Sequence, residues 1–284
     1  MLYLDYPEIA DGELFYAYCL RWCDYLGITR REKSLMLLSS GNKSVSNALF
    51  HPNITELLKV LKMSPEVYIQ RHSVFPYYRI FVTKGCYQDV VRDMLLGKKY
   101  FAAKLSRGFT YTEGSQQKLF YCPACIKEVG SLLGIQRYQQ INGVHVCYKH
   151  QCRLKFVSGI RSKRVDVSTF DLSFEICTDA VLNEIAKDVA FILEHDIELD
   201  FIRLRKVLWE RYNKEHLLEK EEEWKDDLNI PKEYHLLLQN FSYKRLIQWR
   251  LPNGKVHPIE YLLMIRKWYG SFENFTIEEK ITVH

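Results

Sequence analysis

The chain has 284 residues, 47% of them hydrophobic and 14% aromatic, with a formal net charge of +5. That length and apolar content suit about two domains with real cores and exclude a disordered chain. No stretch approaches the roughly 18 apolar residues of a membrane span. The N-terminus, MLYLDYPEIADGELF, carries acids where a secretory leader would be basic, so a cytoplasmic protein of a reducing compartment, with no membrane partner, is expected.

Residues 11–26 place apolar side chains at helical spacing, Leu14, Tyr18 and Leu26 among them, with Asp11 as N-cap and Gly27 as stop. Thr29 and Glu32 have the capping-box arrangement, which predicts a second helix over TRREKSLMLLSS, followed by a loop with Gly41, Asn42 and Ser44. From Asn53 to Phe75 the pattern is a helix-turn-helix. Ile54 to Leu61 form the first helix, Lys62 and Met63 the turn, and Ser64 caps a second helix with Pro65 at its first position and Glu66 at its positive end. In a DNA reader this second helix would present Tyr68, Gln70 and Arg71 to the major groove. With one arginine and no lysine it grips phosphate poorly, and a hairpin packed inside a bundle fits the pattern equally well. Pro76 is expected to close the bundle, and a short helix to cover 88–96 before GKKYFAAKLSR.

Cys122 and Cys125 in YCPAC, and Cys147 and His150 in VCYKH, form two close pairs with 21 residues between them. This is the spacing of two knuckles that hold one structural zinc ion. Three thiolates and an imidazole complete the zinc tetrahedron and leave no place for water, so the site builds structure and does no chemistry. The thiol of Cys152 is an alternative ligand. Gly143 to Val146 reads as a short strand entering the second knuckle, and His145, off the ligand spacing, as a structural or exposed histidine. Cys19 and Cys23 read as core thiols, as do Cys86 and Cys177. From Ser173 onward the chain is expected to be helical and mostly acidic. Amphipathic helices are predicted over 179–194 and 199–212, a solvated acidic face over 219–223, a turn at Asn253-Gly254 and an apolar helix from Pro258 to Trp268.

The expected fold is therefore mainly α. It comprises an N-terminal helical domain with the helix-turn-helix (1–110), a central zinc-ribbon region (111–165) and a C-terminal helical domain (166–284). Charge is distributed unevenly across it. Gly97 to Arg164 holds thirteen Lys or Arg against Glu113 and Glu128, a net of +11, while the other 216 residues net −6. A concentrated basic block is the footprint of a polyanion. The candidate nucleic-acid contacts are Lys98, Lys99, Lys104, Arg107, Arg153, Lys155, Arg161, Lys163 and Arg164, with Gln70 and Arg71 of the helix-turn-helix. The alternative is a solvated face neutralised by the acidic remainder after folding. The sequence contains no glycine-rich phosphate loop, no H-E-x-x-H and no G-x-S-x-G elbow, and the acid pairs Asp226-Asp227 and Glu221-Glu222 point apart along helices. No catalytic residues are expected.

The ordered set of the helix after DGELF, SPEVYIQRHSVFPYYRIF, FYCPACIKE and GVHVCYKHQCRL, with GKVHPIEYLLMIRKWYGS later, resembles the TniQ/TnsD family of transposition target-selection proteins. The resemblance covers residues 10–160 well and 255–270 loosely. It implies a non-enzymatic bacterial protein, nucleoid-associated, with Cys122, Cys125, Cys147 and His150 as ligands of a structural Zn2+. It further implies that the chain links a target-bound partner, either an RNA-guided effector complex or attachment-site duplex DNA, to an AAA+ ATPase transposition regulator. Self-association as a homodimer is also implied. Members that read an attachment site directly usually have a long C-terminal extension with further helix-turn-helix units, whereas this sequence stops soon after the Pro258 helix; that is expected either of the adaptor role or of a trimmed chain. The alternative is a sequence-specific DNA-binding protein that uses residues 54–72 as reader. A zinc-dependent hydrolase would need an open coordination site.

Overall fold

The computed structural model describes residues 7–27, 54–96, 98, 118–158, 165–214, 230–235 and 257–284. The helix expected from Thr29, the acidic face at 219–223 and the turn at Asn253-Gly254 lie outside the described residues. Helix α1 (Phe15–Tyr25) begins later than an Asp11 cap would place it, with Leu14 at the cap. Asp11 and Gly12 instead form a turn, Gly12 at φ +70°. The acid that secures this entrance is Glu13, fully buried, whose carboxylate accepts from the Ala10 N–H and pairs with Arg21 at 2.9 Å. Gly27, at φ +66°, ends the helix as expected.

The helix-turn-helix is α2 (Thr55–Val60) and α3 (Pro65–His72), with Lys62 in the left-handed region at φ +53° and the Ser64 hydroxyl accepting from the Val67 N–H. Tyr68 does not face solvent: it is buried edge-on against Phe15, with ring centroids 4.9 Å apart, so it is a core residue and not a reader. Pro76 does not close the bundle either. It sits in the first turn of α4 (Phe75–Arg79), where its missing N–H costs nothing. Helix α5 (Lys84–Leu95) starts earlier than residue 88 because the Thr83 hydroxyl caps it.

The centre of the chain is a two-stranded antiparallel ribbon of β1 (Lys118–Tyr121) and β2 (Lys155–Ser158), paired Lys118 with Ser158 and Phe120 with Phe156. Helix α6 (Pro123–Val129) follows β1. The C-terminal part contains α7 (Ala180–Glu194), capped by Asp179, then α8 (Phe201–Lys214), α9 (Pro258–Tyr269) and α10 (Phe272–Glu278). Helix α10 was not expected from the sequence pattern; Ser271 caps it through the Asn274 N–H. Within this acidic region helix α8 is locally basic, with Arg203, Arg205, Lys206, Arg211 and Lys214 against the single acid Glu210.

The fold is mainly α, and one hydrophobic core runs through all of it. Phe15, Tyr68 and Phe75 of the N-terminal helices, Tyr138 and Val146 of the ribbon region, and Leu182, Met264 and Phe272 of the C-terminal helices belong to the same buried cluster. A smaller cluster joins Leu14 and Tyr16 to Leu119, Tyr121 and Ile126. Apolar faces of helices that would be unstable alone are thus buried against one another.

Candidate metal centre

Two short turns build the centre. After β1, Cys122 takes an extended backbone, φ −93° and ψ 120°, and α6 starts at once. Pro123 opens that helix, and the Cys125 N–H donates to Cys122 Sγ at 3.3 Å. The second turn spans 147–152. The Cys147 N–H donates to the Cys152 carbonyl and the Gln151 N–H to the Cys147 carbonyl, with Gln151 in the left-handed region at φ +52°. Here the His150 N–H donates to Cys147 Sγ at 3.4 Å. Both turns therefore aim backbone N–H groups at a sulfur, which favours its thiolate form.

The four expected ligand atoms converge, all within 4.8 Å of one another. A tetrahedral ion with bonds of about 2.3 Å to sulfur and about 2.0 Å to nitrogen has edges of roughly 3.8 Å between sulfurs and roughly 3.5 Å from sulfur to nitrogen. Cys125 Sγ and Cys147 Sγ are 3.8 Å apart. His150 Nδ1 lies 3.5, 3.3 and 3.5 Å from the sulfurs of Cys122, Cys125 and Cys147. The donor set and its edges therefore fit a closed tetrahedral site.

Three further side chains support these ligands, and the sequence spacing did not reveal their roles. Glu128 Oε1 lies 2.8 Å from His150 Nε2, which fixes the ring with Nδ1 toward the sulfurs. Glu128 lies three residues after Cys125 on α6, and that helical spacing is the signal that could have found it. The Tyr138 hydroxyl donates to Cys147 Sγ at 3.0 Å; burial raises its pKa well above the usual phenol value, so it remains a donor. The Tyr138 hydroxyl and the His150 N–H, both donating to Cys147 Sγ, favour the thiolate form of that residue. Cys152 Sγ sits 3.3 Å from Cys122 Sγ, outside the group of four, where it hydrogen-bonds a ligand sulfur.

The other candidate residues are spread more widely. Lys98 pairs with Asp93 at 3.0 Å, Arg153 with Glu233 at 2.7 Å and Lys155 with Asp171 at 2.5 Å. Each described cation of the basic block that was a candidate contact thus has a carboxylate partner. Arg71 is exposed on α3, and Gln70 beside it is half-buried. Lys99, Lys104, Arg107, Arg161, Lys163 and Arg164 lie outside the described residues. His145 is half-buried beside the Tyr234 ring, its Nε2 without a partner. A polar cavity of about 430 Å3 lies between α3, the second knuckle and the end of α7. Of the acids on its wall, Glu194 is engaged by the Tyr148 hydroxyl and Asp196 by Arg79. Among the described residues no helix is long and apolar enough to cross a membrane.

The chain thus combines a helix-turn-helix with a Cys3His cluster that could hold a metal ion, both packed into one core. The family model for TniQ matches residues 6–154, more than half of the chain, and the chain belongs to the TniQ family. It is accordingly a transposition-associated target-selection protein of a non-catalytic accessory family. No curated protein matches the chain.

Proposed function

We propose that this chain is a non-enzymatic adaptor that links a target-bound complex, an RNA-guided effector or attachment-site DNA, to an AAA+ transposition regulator. The ion at Cys122, Cys125, Cys147 and His150 is zinc in this reading, and it holds the ribbon rigid. The observation that carries the proposal is the closed four-ligand centre inside the TniQ-matching segment, saturated by protein and joined to the core of both flanking helical regions. Such a site contributes folding free energy, not a reactive water.

The competing reading, direct sequence recognition through α3, is weakened by two observations. Tyr68 is buried, and Arg71 is the one Lys or Arg of that helix. Duplex binding at two salt concentrations, specific against scrambled sequence, tests the choice, with metal content measured on the same sample. The adaptor predicts weak, sequence-blind binding that falls steeply with salt, and about one zinc per chain. A strong preference for one duplex at the higher salt would make the chain a direct reader.

A further inference from the structure

We infer that the extended segment 174–176, beside the metal centre, is a docking edge to which an apolar and acidic segment of a partner protein adds as a further strand. The inference rests on the protein-bridging side of the adaptor reading and names one surface for a protein partner. The second knuckle turn builds this edge. Cys152 pairs antiparallel with Ile176 in a single bridge; the Cys177 N–H donates to the Gln151 carbonyl and the Arg153 N–H to the Glu175 carbonyl. These two bonds flank the pair and leave it non-hydrogen-bonded, so Ile176 turns its own N–H and carbonyl away from the knuckle. Among the described residues neither group has a partner. The two side chains of such a pair share one face. Cys152 points to Cys122 Sγ at the metal centre, and Ile176 therefore stands on the face that α6 borders. Ile176 is 58% exposed there, and Phe174, two residues earlier on the same face, is 41% exposed. An open backbone edge that also carries two exposed apolar side chains is a template for strand addition.

Backbone and charge together select the occupant. The outward N–H and carbonyl of Ile176 are one donor and one acceptor in a strand, which another peptide backbone matches and a phosphate chain does not. Exposed Glu175, in the middle of the segment, adds repulsion against a polyanion. The Lys127 ammonium of α6 lies 5.1 Å from the centre of the Phe174 ring, and among the described residues no carboxylate pairs with it. An acid on the apolar face of the added strand would meet this cation beside Phe174. A second copy of the same edge brings no such acid. Its residues on that face are Leu172, Phe174, Ile176 and Thr178, and its Glu175 falls on the other face. The occupant is therefore an extended segment with apolar residues at alternate positions and an Asp or Glu among them.

Selection of short random peptides displayed on phage against the full chain, with the winners measured by fluorescence anisotropy, tests this. The winners should alternate apolar with polar residues and carry an Asp or Glu on the apolar face. Ile176→Pro deletes the outward N–H at an edge position, where proline is tolerated, and should weaken them about tenfold. Lys127→Glu changes an exposed side chain and leaves that backbone alone; it should weaken them about tenfold at low salt and less at high salt. Metal content is measured in both variants, and if Ile176→Pro loses metal then Lys127→Glu decides alone. Failure to enrich any peptide, a basic consensus, or an affinity unchanged in either variant that keeps its metal would each overturn the inference. A dimer in sedimentation velocity that Ile176→Pro dissolves would assign the edge to a second copy and overturn it as well. None of these outcomes touches the adaptor reading, which falls instead if the chain strongly prefers one duplex at the higher salt.

Discussion

Gly143 is a close approach between the ribbon region and the start of α9. It adopts φ +93°, and a Cβ there would lie 2.5 Å from the Ile259 side chain and 3.4 Å from the His257 ring. Its carbonyl accepts from the buried Tyr234 hydroxyl at 2.9 Å. Gly143→Ala combines left-handed strain with a clash against the start of α9 and should cost about 3 kcal/mol, read as a lower urea midpoint with unchanged slope. Glu128 acts on the metal centre from outside it. Glu128→Gln weakens its hold on the His150 ring and should lower metal affinity about 10–100-fold in a chelator competition while the fold persists. The convergence of the four side chains was legible in the sequence because each knuckle is local: Cys122 and Cys125, or Cys147 and His150, face one way by spacing alone. Tyr138 was not legible, because only folding brings a tyrosine from a separate 3-10 turn onto Cys147. The contact between Gly143 and His257 was equally hidden, since it spans more than a hundred residues that share no periodicity.

Beyond the shared core, Arg137, from the 3-10 turn Arg137–Gln140, ties elements together. Its guanidinium donates to the Gln70 and Ser73 carbonyls at the end of α3 and to the Leu193 carbonyl at the end of α7. Those are carbonyls that a helix leaves unpaired at its C-terminus, where a cation is also favoured by the helix dipole. Burial lowers the pKa of Arg137 to about 10, so it is still charged at neutral pH. Arg137→Met removes the donor and leaves buried carbonyls without partners, which should cost on the order of 3 kcal/mol in denaturant unfolding. Arg137→Lys should not restore the loss, because an ammonium cannot reach several carbonyls from one planar fork. In the sequence Arg137 was one of thirteen cations in a basic block, with nothing to mark it as structural. Helices announced by a side-chain cap, such as α3 behind Ser64 and α7 behind Asp179, were legible. Helix α4 was missed because Pro76 reads equally as a stop and as a first-turn residue, and tertiary packing decides between them.

At the scale of the molecule, the continuous core makes stability depend on buried histidines outside the four-ligand group. His257 is 3% exposed, and burial lowers its pKa from the usual 6.5 to about 4. Its Nδ1 accepts from the Ile259 N–H at 3.2 Å, so protonation would break the cap of α9 as well as bury a charge. His72 is lowered to about 4 in the same way, chiefly by burial, where its ring contacts the Glu13 carbonyl at 3.3 Å. Both folded values lie below the unfolded one, so the stabilisation is fully present above about pH 6.5 and is lost as pH falls through about 4. The limit is about 3 kcal/mol for each histidine. Acid also strips a thiolate–imidazole metal site, and that loss has the same sign. His257→Asn keeps a side-chain cap for α9 but cannot take up the proton, so it separates the two. Urea midpoints measured between pH 7 and pH 4 should fall less steeply in His257→Asn than in the wild-type chain, with metal content followed in both. A pH response unchanged by the substitution would clear His257 and leave the acid sensitivity to His72 or the metal centre, which the metal content followed alongside tells apart.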